Sequence, residues 1–343
     1  MLCAGLPSAG IDASVVSVYD SGLDGGGRSE LGVPVVDLGR RGRGDYAYFP
    51  ALVATLRRLK PDVVHAHLHT GQYPGRIAAL LAAVPSIVLT IHGREPGGPV
   101  RWALDRVLHA RTARFIVFTD AQRRRFASEQ HVPAERIAII PNGAQPQPAA
   151  ASRAELRVAL GIPGDAFAVY AIGRLSEEKN HAALLDAVAT LGAGAPELHL
   201  VLAGSGPLES DLRERARARG IVTRVHFLGY RPDATRLCAA MDLFALTSFR
   251  EAMPLALGEA MLGGLAPLIT PWRDHDAFVR DGENGYVTAD CGAAAISATL
   301  ERARSDAGRG VLAARAGETA RALFDPAAMV AAHAALYRAL VAA

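Results

Sequence analysis

Short apolar runs alternate along this chain with segments whose apolar residues recur every three or four positions. Such runs suit buried strands and the periodic segments suit crossover helices, so the pattern predicts parallel sheets flanked by helices. In the first half it predicts strands near Ala13–Val18, Pro34–Leu38, Asp62–Ala66, Ser86–Ile91, Ala113–Phe118 and Arg136–Ile140. Helices are expected near Ala47–Lys60, Gly71–Ala83, Val100–Arg111 and Ala121–Glu129. The stretch Pro141–Pro148 continues neither a helix nor a central strand and reads as a hinge. The pattern then restarts. Strands are expected near Phe167–Ile172, His199–Ala203, Arg224–Leu228, Leu243–Leu246, Pro267–Thr270 and Gly285–Val287, with helices near His181–Leu191, Pro207–Arg219, Pro232–Ala240, Leu255–Leu262 and Ala293–Arg302. The tail Pro326–Val341 has the spacing of a closing amphipathic helix.

With 343 residues, half of them hydrophobic, the chain can build more than one core. It has no apolar run long enough to span a bilayer, and its first residues lack the basic start and apolar stretch of a signal peptide. Cys3, Cys238 and Cys291 have no paired spacing, so a disulfide framework and a metal knuckle are both disfavoured and a reducing, cytoplasmic setting is expected. The net charge of +3 is unevenly spread: residues 1–150 hold 17 Lys+Arg against 12 Asp+Glu, and residues 151–343 hold 20 against 22. The excess includes Arg40, Arg41, Arg43 and Arg123 to Arg125. It reads as solvated surface or as attraction toward an anionic membrane face or acidic acceptor. No stacking aromatics accompany the arginines, which argues against nucleic acid.

Three segments of the second half carry candidate chemistry. Gly173-Arg174-Leu175-Ser176-Glu177-Glu178-Lys179-Asn180 follows an expected strand and precedes an expected helix. Ligands of doubly wound sheets bind at that carboxyl edge. Arg174 and Lys179 set two cations beside a helix N-terminus, a place suited to phosphate; an ordinary loop with two solvated bases is the plain alternative. Gly204-Ser205-Gly206-Pro207 repeats the strand-to-helix turn, allowing either close approach to a ligand or merely a tight turn. In Ser248–Met261, Glu251 stands just before a helix whose first turn Pro254 suits, and Glu259 stands within it. Two carboxylates can accept from the vicinal hydroxyls of a sugar and a ribose. Two surface glutamates would need no ligand, yet Glu259 lies among Leu255, Leu257, Ala260, Met261 and Leu262, where an unpaired charge is costly.

In the first half, His65, His67 and His69 end one strand and His92-Gly93 ends the next. Strand alternation points His65 and His67 to one face, and no Cys or Glu completes a metal-binding spacing, so no metal site is assigned. His92 is read as a cleft residue facing an acceptor, with a purely structural histidine as the competing reading.

Taken together, these motifs resemble the family 4 retaining glycosyltransferases with the GT-B fold. The likeness rests on Gly173–Asn180, Gly204–Pro207, Phe227-Leu228-Gly229 and the Glu251/Glu259 pair, with His67, His92-Gly93 and Pro141-Asn142-Gly143 before them. It implies an α/β chain of two Rossmann-like doubly wound parallel-sheet domains facing a cleft. Residues 1–145 would form the acceptor side, residues 146–324 would bind a nucleotide-sugar, and residues 325–343 would cross back as a helix. It implies a hexosyltransferase taking sugar from a nucleotide-sugar donor, a substrate and not a cofactor, to a saccharide, lipid-linked or small-molecule acceptor. Arg174 and Lys179 would hold the diphosphate, with Gly173, Gly204 and Gly206 around it. Glu259 would bind the ribose and Leu228 the base. Glu251 would contact the transferred sugar, with backbone amides in the segment Met253, Pro254 and Leu255 near its hydroxyls and phosphate. His92 would lie by the reacting centre, and the cations would replace a metal.

Two departures from the family are visible. Ala252 stands where glycine is usual after the first glutamate. Relatives also begin with a strand and Gly-rich loop ahead of the helix whose end Met1–Ala9 resembles, so the first domain is expected to be N-terminally incomplete, with Ala13–Val18 and Asp62–Ala66 either rejoined or separated by a gap. A late start site, a fragment or a degenerate protein would each account for it. Gly25-Gly26-Gly27 reads as a flexible loop and not as a replacement. A noncatalytic nucleotide-binding descendant and a nucleotide-sugar 2-epimerase stay open beside the transferase.

Overall fold

The computed structural model describes residues 1–19, 31–42, 44–68, 71–93, 98–145, 147–191 and 198–342. Gly25–Gly27, Arg43, His69 and Pro146 lie outside them. Two units divide the chain, one made of Met1–Gly143 with Asp325–Ala343, the other of Ala144–Phe324.

The first unit runs α1 (Leu2–Gly5), β1 (Val15–Ser17), β2 (Val35–Asp37), α2 (Tyr48–Leu59), β3 (Val63–Ala66), α3 (Arg76–Leu81), β4 (Ser86–Thr90), α4 (Pro99–Ala110), β5 (Arg114–Val117), α5 (Asp120–Gln130) and β6 (Ile137–Ile139). Its strands form a two-stranded sheet, β1-β2, and a four-stranded sheet, β3-β4-β5-β6, both parallel. Of the two outcomes left open above, β1 and β3 are thus separated and do not rejoin. One apolar cluster nevertheless serves both sheets. Tyr48, Leu52 and Leu56 of α2 and Ala78 and Ala79 of α3 pack with Val16, Val64 and Ile87.

The second unit runs α6 (Arg153–Leu160), β7 (Phe167–Ile172), α7 (His181–Thr190), β8 (Leu198–Ala203), α8 (Glu209–Ala218), β9 (Val225–Gly229), β10 (Leu243–Leu246), α9 (Leu255–Leu262), β11 (Pro267–Ile269), β12 (Tyr286–Val287), α10 (Ala293–Ser305) and α11 (Arg309–Leu323). Its parallel sheet has the order β12-β11-β10-β7-β8-β9. Helices cover both faces, which is why β7 and β8 read as unbroken apolar runs and are buried almost throughout. Val169, Leu200, Leu243 and Leu268 are fully buried at its centre. From β7 the chain winds outward to β9, then crosses back to β10 and winds the other way. The order therefore reverses between β7 and β10, where doubly wound sheets open a crevice at their carboxyl edge.

Helix α6 was not expected. Its signature is a capping box: the Ser152 hydroxyl accepts from the Glu155 N–H, and the Glu155 carboxylate accepts from the Ser152 N–H. Helix α11 was also missed, its apolar spacing diluted by Gly310 and Gly317. The helix expected over Pro232–Ala240 is a 3-10 helix over Ala234–Ala240, whose first carbonyl accepts from the Tyr170 hydroxyl at 2.8 Å.

The closing helix α12 (Pro326–Val341) belongs to the first unit. The Asp325 carboxylate caps it by accepting from Ala327 and Ala328, and Pro326 fills its first position. Met329 and Tyr337 pack with Leu6, Val88 and Ile116. A side chain at Gly143 would meet Pro326 Cα at 2.6 Å, which accounts for glycine there. Among the described residues no helix is long and apolar enough to cross a membrane.

Candidate functional site

In the second unit, the loops that leave β7, β8 and β9 are tied to one another by their backbones. Gly173 N–H donates to Ala203 O, Leu175 N–H to Ser205 O, and Gly204 N–H to Gly229 O at 2.7 Å. That contact explains the glycines. Gly204 has φ +148°, and a Cβ on it would lie 1.9 Å from Gly173 O. A Cβ on Gly206 would lie 2.3 Å from Leu175 O. Loop-to-loop packing alone therefore requires both. Leu228, half-buried, is the next-to-last residue of β9, just before Gly229.

The loops after β7 and β10 meet at the point where strand order reverses. Lys179 closes a short turn, Glu177–Lys179, and Asn180 follows in the left-handed region at φ 53°. That conformation is held from two sides: the Asn180 amide donates to Cys291 O at 2.9 Å, and the Thr247 hydroxyl donates to Lys179 O at 3.2 Å. Phe249 N–H donates to Glu178 O. Lys179 Nζ thereby comes within 2.6 Å of Glu251 Oε1. The same oxygen accepts from the Ser248 hydroxyl at 2.6 Å. Ser248 is fully buried, and its carbonyl accepts from Thr270 Oγ1 at 2.6 Å. Charge-assisted bonds of this length fix the carboxylate firmly. Arg174, on the same loop as Lys179, is exposed, and among the described residues its guanidinium has no ion pair.

Helix α9 begins after Pro254, which serves as the flanking residue and not as the first helical one. Met253 and Pro254 are buried and Leu255 is exposed. Glu259 is half-buried on this helix, and burial raises its carboxyl above the usual range. Among the described residues no side chain pairs with it. Beside Lys179, His181 opens α7. It is 5% exposed, and burial, then Lys179, holds it down to about 4 against the opposing pull of the Arg174 backbone.

The first unit carries a histidine array at the carboxyl ends of β3 and β4. His65 is pinned at both nitrogens: Nδ1 lies 2.6 Å from the Tyr337 hydroxyl and Nε2 lies 2.7 Å from Thr90 Oγ1. His67 lies over it, ring centroids 4.0 Å apart, as strand alternation requires. His67 Nδ1 is 3.0 Å from His92 Nε2. His92 stands before Gly93, whose φ of +144° suits only glycine, and burial lowers its ring below the usual histidine value.

Gly173, Arg174, Lys179, Gly204, Gly206, Glu251, Met253, Pro254 and Leu255 thus gather on linked loops of one unit, with Leu228 at the end of β9 and Glu259 one helical turn along α9. His92 belongs to the other unit. Ser248 and Thr270 went unforeseen: a buried serine three residues before a glutamate carries no signal until the turn brings the two together. His333 and Tyr337, which flank His65 from α12, were equally invisible in the sequence.

Residues 152–323 match the family described as Glycosyl transferases group 1, and residues 1–147 match Glycosyltransferase Family 4. The chain is 29% identical over 250 residues to a UDP-Gal:alpha-D-GlcNAc-diphosphoundecaprenol alpha-1,3-galactosyltransferase of Escherichia coli, covering 69% of this chain and 65% of that protein. It is 33% identical over 218 residues to the putative glycosyltransferase EpsF of Bacillus subtilis, covering 60% and 56%. The chain thus spans less than two thirds of either relative. The crystal structure of HepE of Anabaena with UDP and glucose superposes with a TM-score of 0.83 at 22% identity, over 98% of this chain and 94% of that one. The fold is accordingly GT-B, with two Rossmann-like units. The chain belongs to the family 4 glycosyltransferases.

Proposed function

We propose that this protein is a retaining, metal-independent glycosyltransferase that moves a sugar from a nucleotide-sugar donor to a saccharide, lipid or small-molecule acceptor. The observation that carries the reading is the meeting of Lys179, Glu251 and Ser248 at the switch between β7 and β10, with the exposed Arg174 on the same loop. Two cations there can neutralise the charge that grows on a departing nucleoside diphosphate, a task a metal ion serves elsewhere. In the transfer, the bond from the anomeric carbon to the phosphate oxygen breaks and a bond from the acceptor oxygen forms. The acceptor's proton leaves toward the released diphosphate. The half-buried carboxylate of Glu259, without a side-chain partner among the described residues, suits ribose hydroxyls, which would supply donors to it. Glu251, already oriented by Ser248, would accept from a sugar hydroxyl. His92 would stand by the reacting centre. HepE, solved with UDP and glucose, makes uridine donors the first to test.

The test is incubation with UDP-, GDP- and ADP-sugars under excess chelator, with the product followed by proton NMR. Release of nucleoside diphosphate with the donor's anomeric configuration kept supports the reading. An inverted product, or turnover abolished by chelator and restored by a divalent ion, overturns it. The basic excess of residues 1–150 further supports contact with an anionic membrane, and co-sedimentation with vesicles that ignores anionic lipid content would remove that part.

A further inference from the structure

The histidine array does more than surround His92. His67 Nδ1 and His92 Nε2 lie 3.0 Å apart, a hydrogen-bond distance at which one nitrogen must carry the proton and the other must not. The tautomers of the two rings are therefore coupled: a proton on His67 Nδ1 leaves His92 with its own on Nδ1, and a bare His67 Nδ1 requires it on His92 Nε2. In either case His92 has one nitrogen committed to His67 and one left over. His67 itself is held. Its ring lies over His65, and His65 cannot turn without losing Tyr337 and Thr90 together. The next residue, Leu68, takes the left-handed region at φ 57°, a costly conformation for a leucine.

Resting on the transferase reading above, we propose that His67 is a positioning residue for His92. It fixes His92 as one neutral tautomer in one rotamer, with Nδ1 turned away from His67 and available to the substrate. The support runs from the closing helix through Tyr337, His65 and His67, so the last turns of the chain help to set the orientation of a ring at the end of β4. Burial lowers His65 well below the usual value for a histidine and lowers His92 as well; His67 is lowered by its packed ring neighbourhood although its side chain is exposed to solvent. A proton entering the array would break the donor–acceptor complementarity on which the positioning depends.

The experiment uses the whole chain labelled with 15N-histidine, read by long-range proton–nitrogen correlation at pH 7.5, in wild type, His67→Leu and His67→Asn. His92→Gln identifies the His92 signals. Wild type should show His92 in one tautomer. His67→Leu should show averaged tautomers and a kcat lower by about 10- to 100-fold, the scale expected when a reacting group loses its alignment. Its affinity for donor nucleotide should hold, because those contacts lie in the other unit. His67→Asn, whose amide can occupy the position of Nδ1, should restore one tautomer and most of kcat. If His67→Leu fails to fold, His67→Gln, whose amide sits one bond further out, takes its place in the same comparison. A His92 pattern and kcat unchanged by these variants overturn the proposal, as does equal loss in the Asn and Leu variants. A tautomer change in a protein that transfers no sugar keeps the positioning and removes the transferase reading, so the two failures are separable.

Discussion

Lys179 Nζ and Glu251 Oε1 lie 2.6 Å apart although 72 residues separate them along the chain. The choice of lysine is itself informative. Among the 37 basic residues only Lys60 and Lys179 are lysines; the rest are arginines. A chain that uses arginine almost everywhere keeps a compact ammonium here, where one oxygen is shared with Ser248 and a planar guanidinium fork has no second partner to match.

Two lysines make that site directly observable. Reductive methylation with labelled formaldehyde should give two lysine signals in carbon NMR. Addition of the cognate nucleoside diphosphate should move one of them, and Lys179→Arg should delete that one. A titration that moves only the Lys60 signal would contradict the placement of the diphosphate.

Removing the Ser248 hydroxyl tests how Glu251 is held. Ser248→Ala takes away a buried donor to a charged group, a loss of about 1.5–3 kcal/mol. The urea midpoint should fall accordingly, and the Michaelis constant for the donor should rise as Glu251 loosens. A variant with unchanged midpoint and unchanged kinetics would show that Lys179 alone orients the carboxylate.

Glu259 should behave in the opposite sense. It is half-buried, without a side-chain partner among the described residues, and its carboxyl is raised by burial. Neutralising it relieves the fold, so Glu259→Gln should be as stable as wild type or more so by roughly 0.5–2 kcal/mol. The same change should weaken nucleotide binding. Thermal melts and nucleotide titrations read the two effects, and a loss of stability would mean that Glu259 is a structural residue.

Acid should weaken the second unit through His181. The ring is held down to about 4 in the folded chain by burial and then by Lys179, against 6.5 in an unperturbed histidine. Between those values the unfolded chain takes up a proton that the folded one refuses. Stability is therefore intact above pH 6.5 and declines as pH falls toward 4. At about 1.4 kcal/mol per pH unit, on the order of 2 kcal/mol is lost by pH 5. Trp272 lies in this unit and Trp102 in the other, so a Trp102→Phe background reports the second unit by fluorescence. Urea midpoints at pH 7.5 and 5.0 should differ by that amount, and His181→Asn should narrow the gap. A gap that His181→Asn leaves unchanged assigns the acid sensitivity to other groups.

Much of this architecture was legible because buried parallel strands leave continuous apolar runs and each ends at a glycine or a polar turn. Gly173, Gly204, Glu251 and Glu259 stood out for that reason. What stayed hidden depended on residues distant in sequence. The Ser248–Glu251–Lys179 contact needs the β7 and β10 loops side by side, and the His67–His92 contact needs two adjacent strands of equal reach. Helix α6 is hidden for a different reason: its Ser152–Glu155 capping box stands directly beside a proline-rich hinge whose composition favours loop. The glycines of Gly204–Pro207 were read as room for a ligand or a tight turn, and the neighbouring loop backbone turned out to require both.

The most direct test is calorimetric titration of UDP, GDP and ADP into wild type, Lys179→Ala and Glu259→Ala. One nucleotide should bind wild type, and each substitution should weaken it by at least about tenfold, the loss expected when a charge-assisted contact of about 1.5–3 kcal/mol is removed, with the fold intact by circular dichroism. Equal affinity in all three proteins, or no binding of any nucleotide to wild type, would contradict the account of the site.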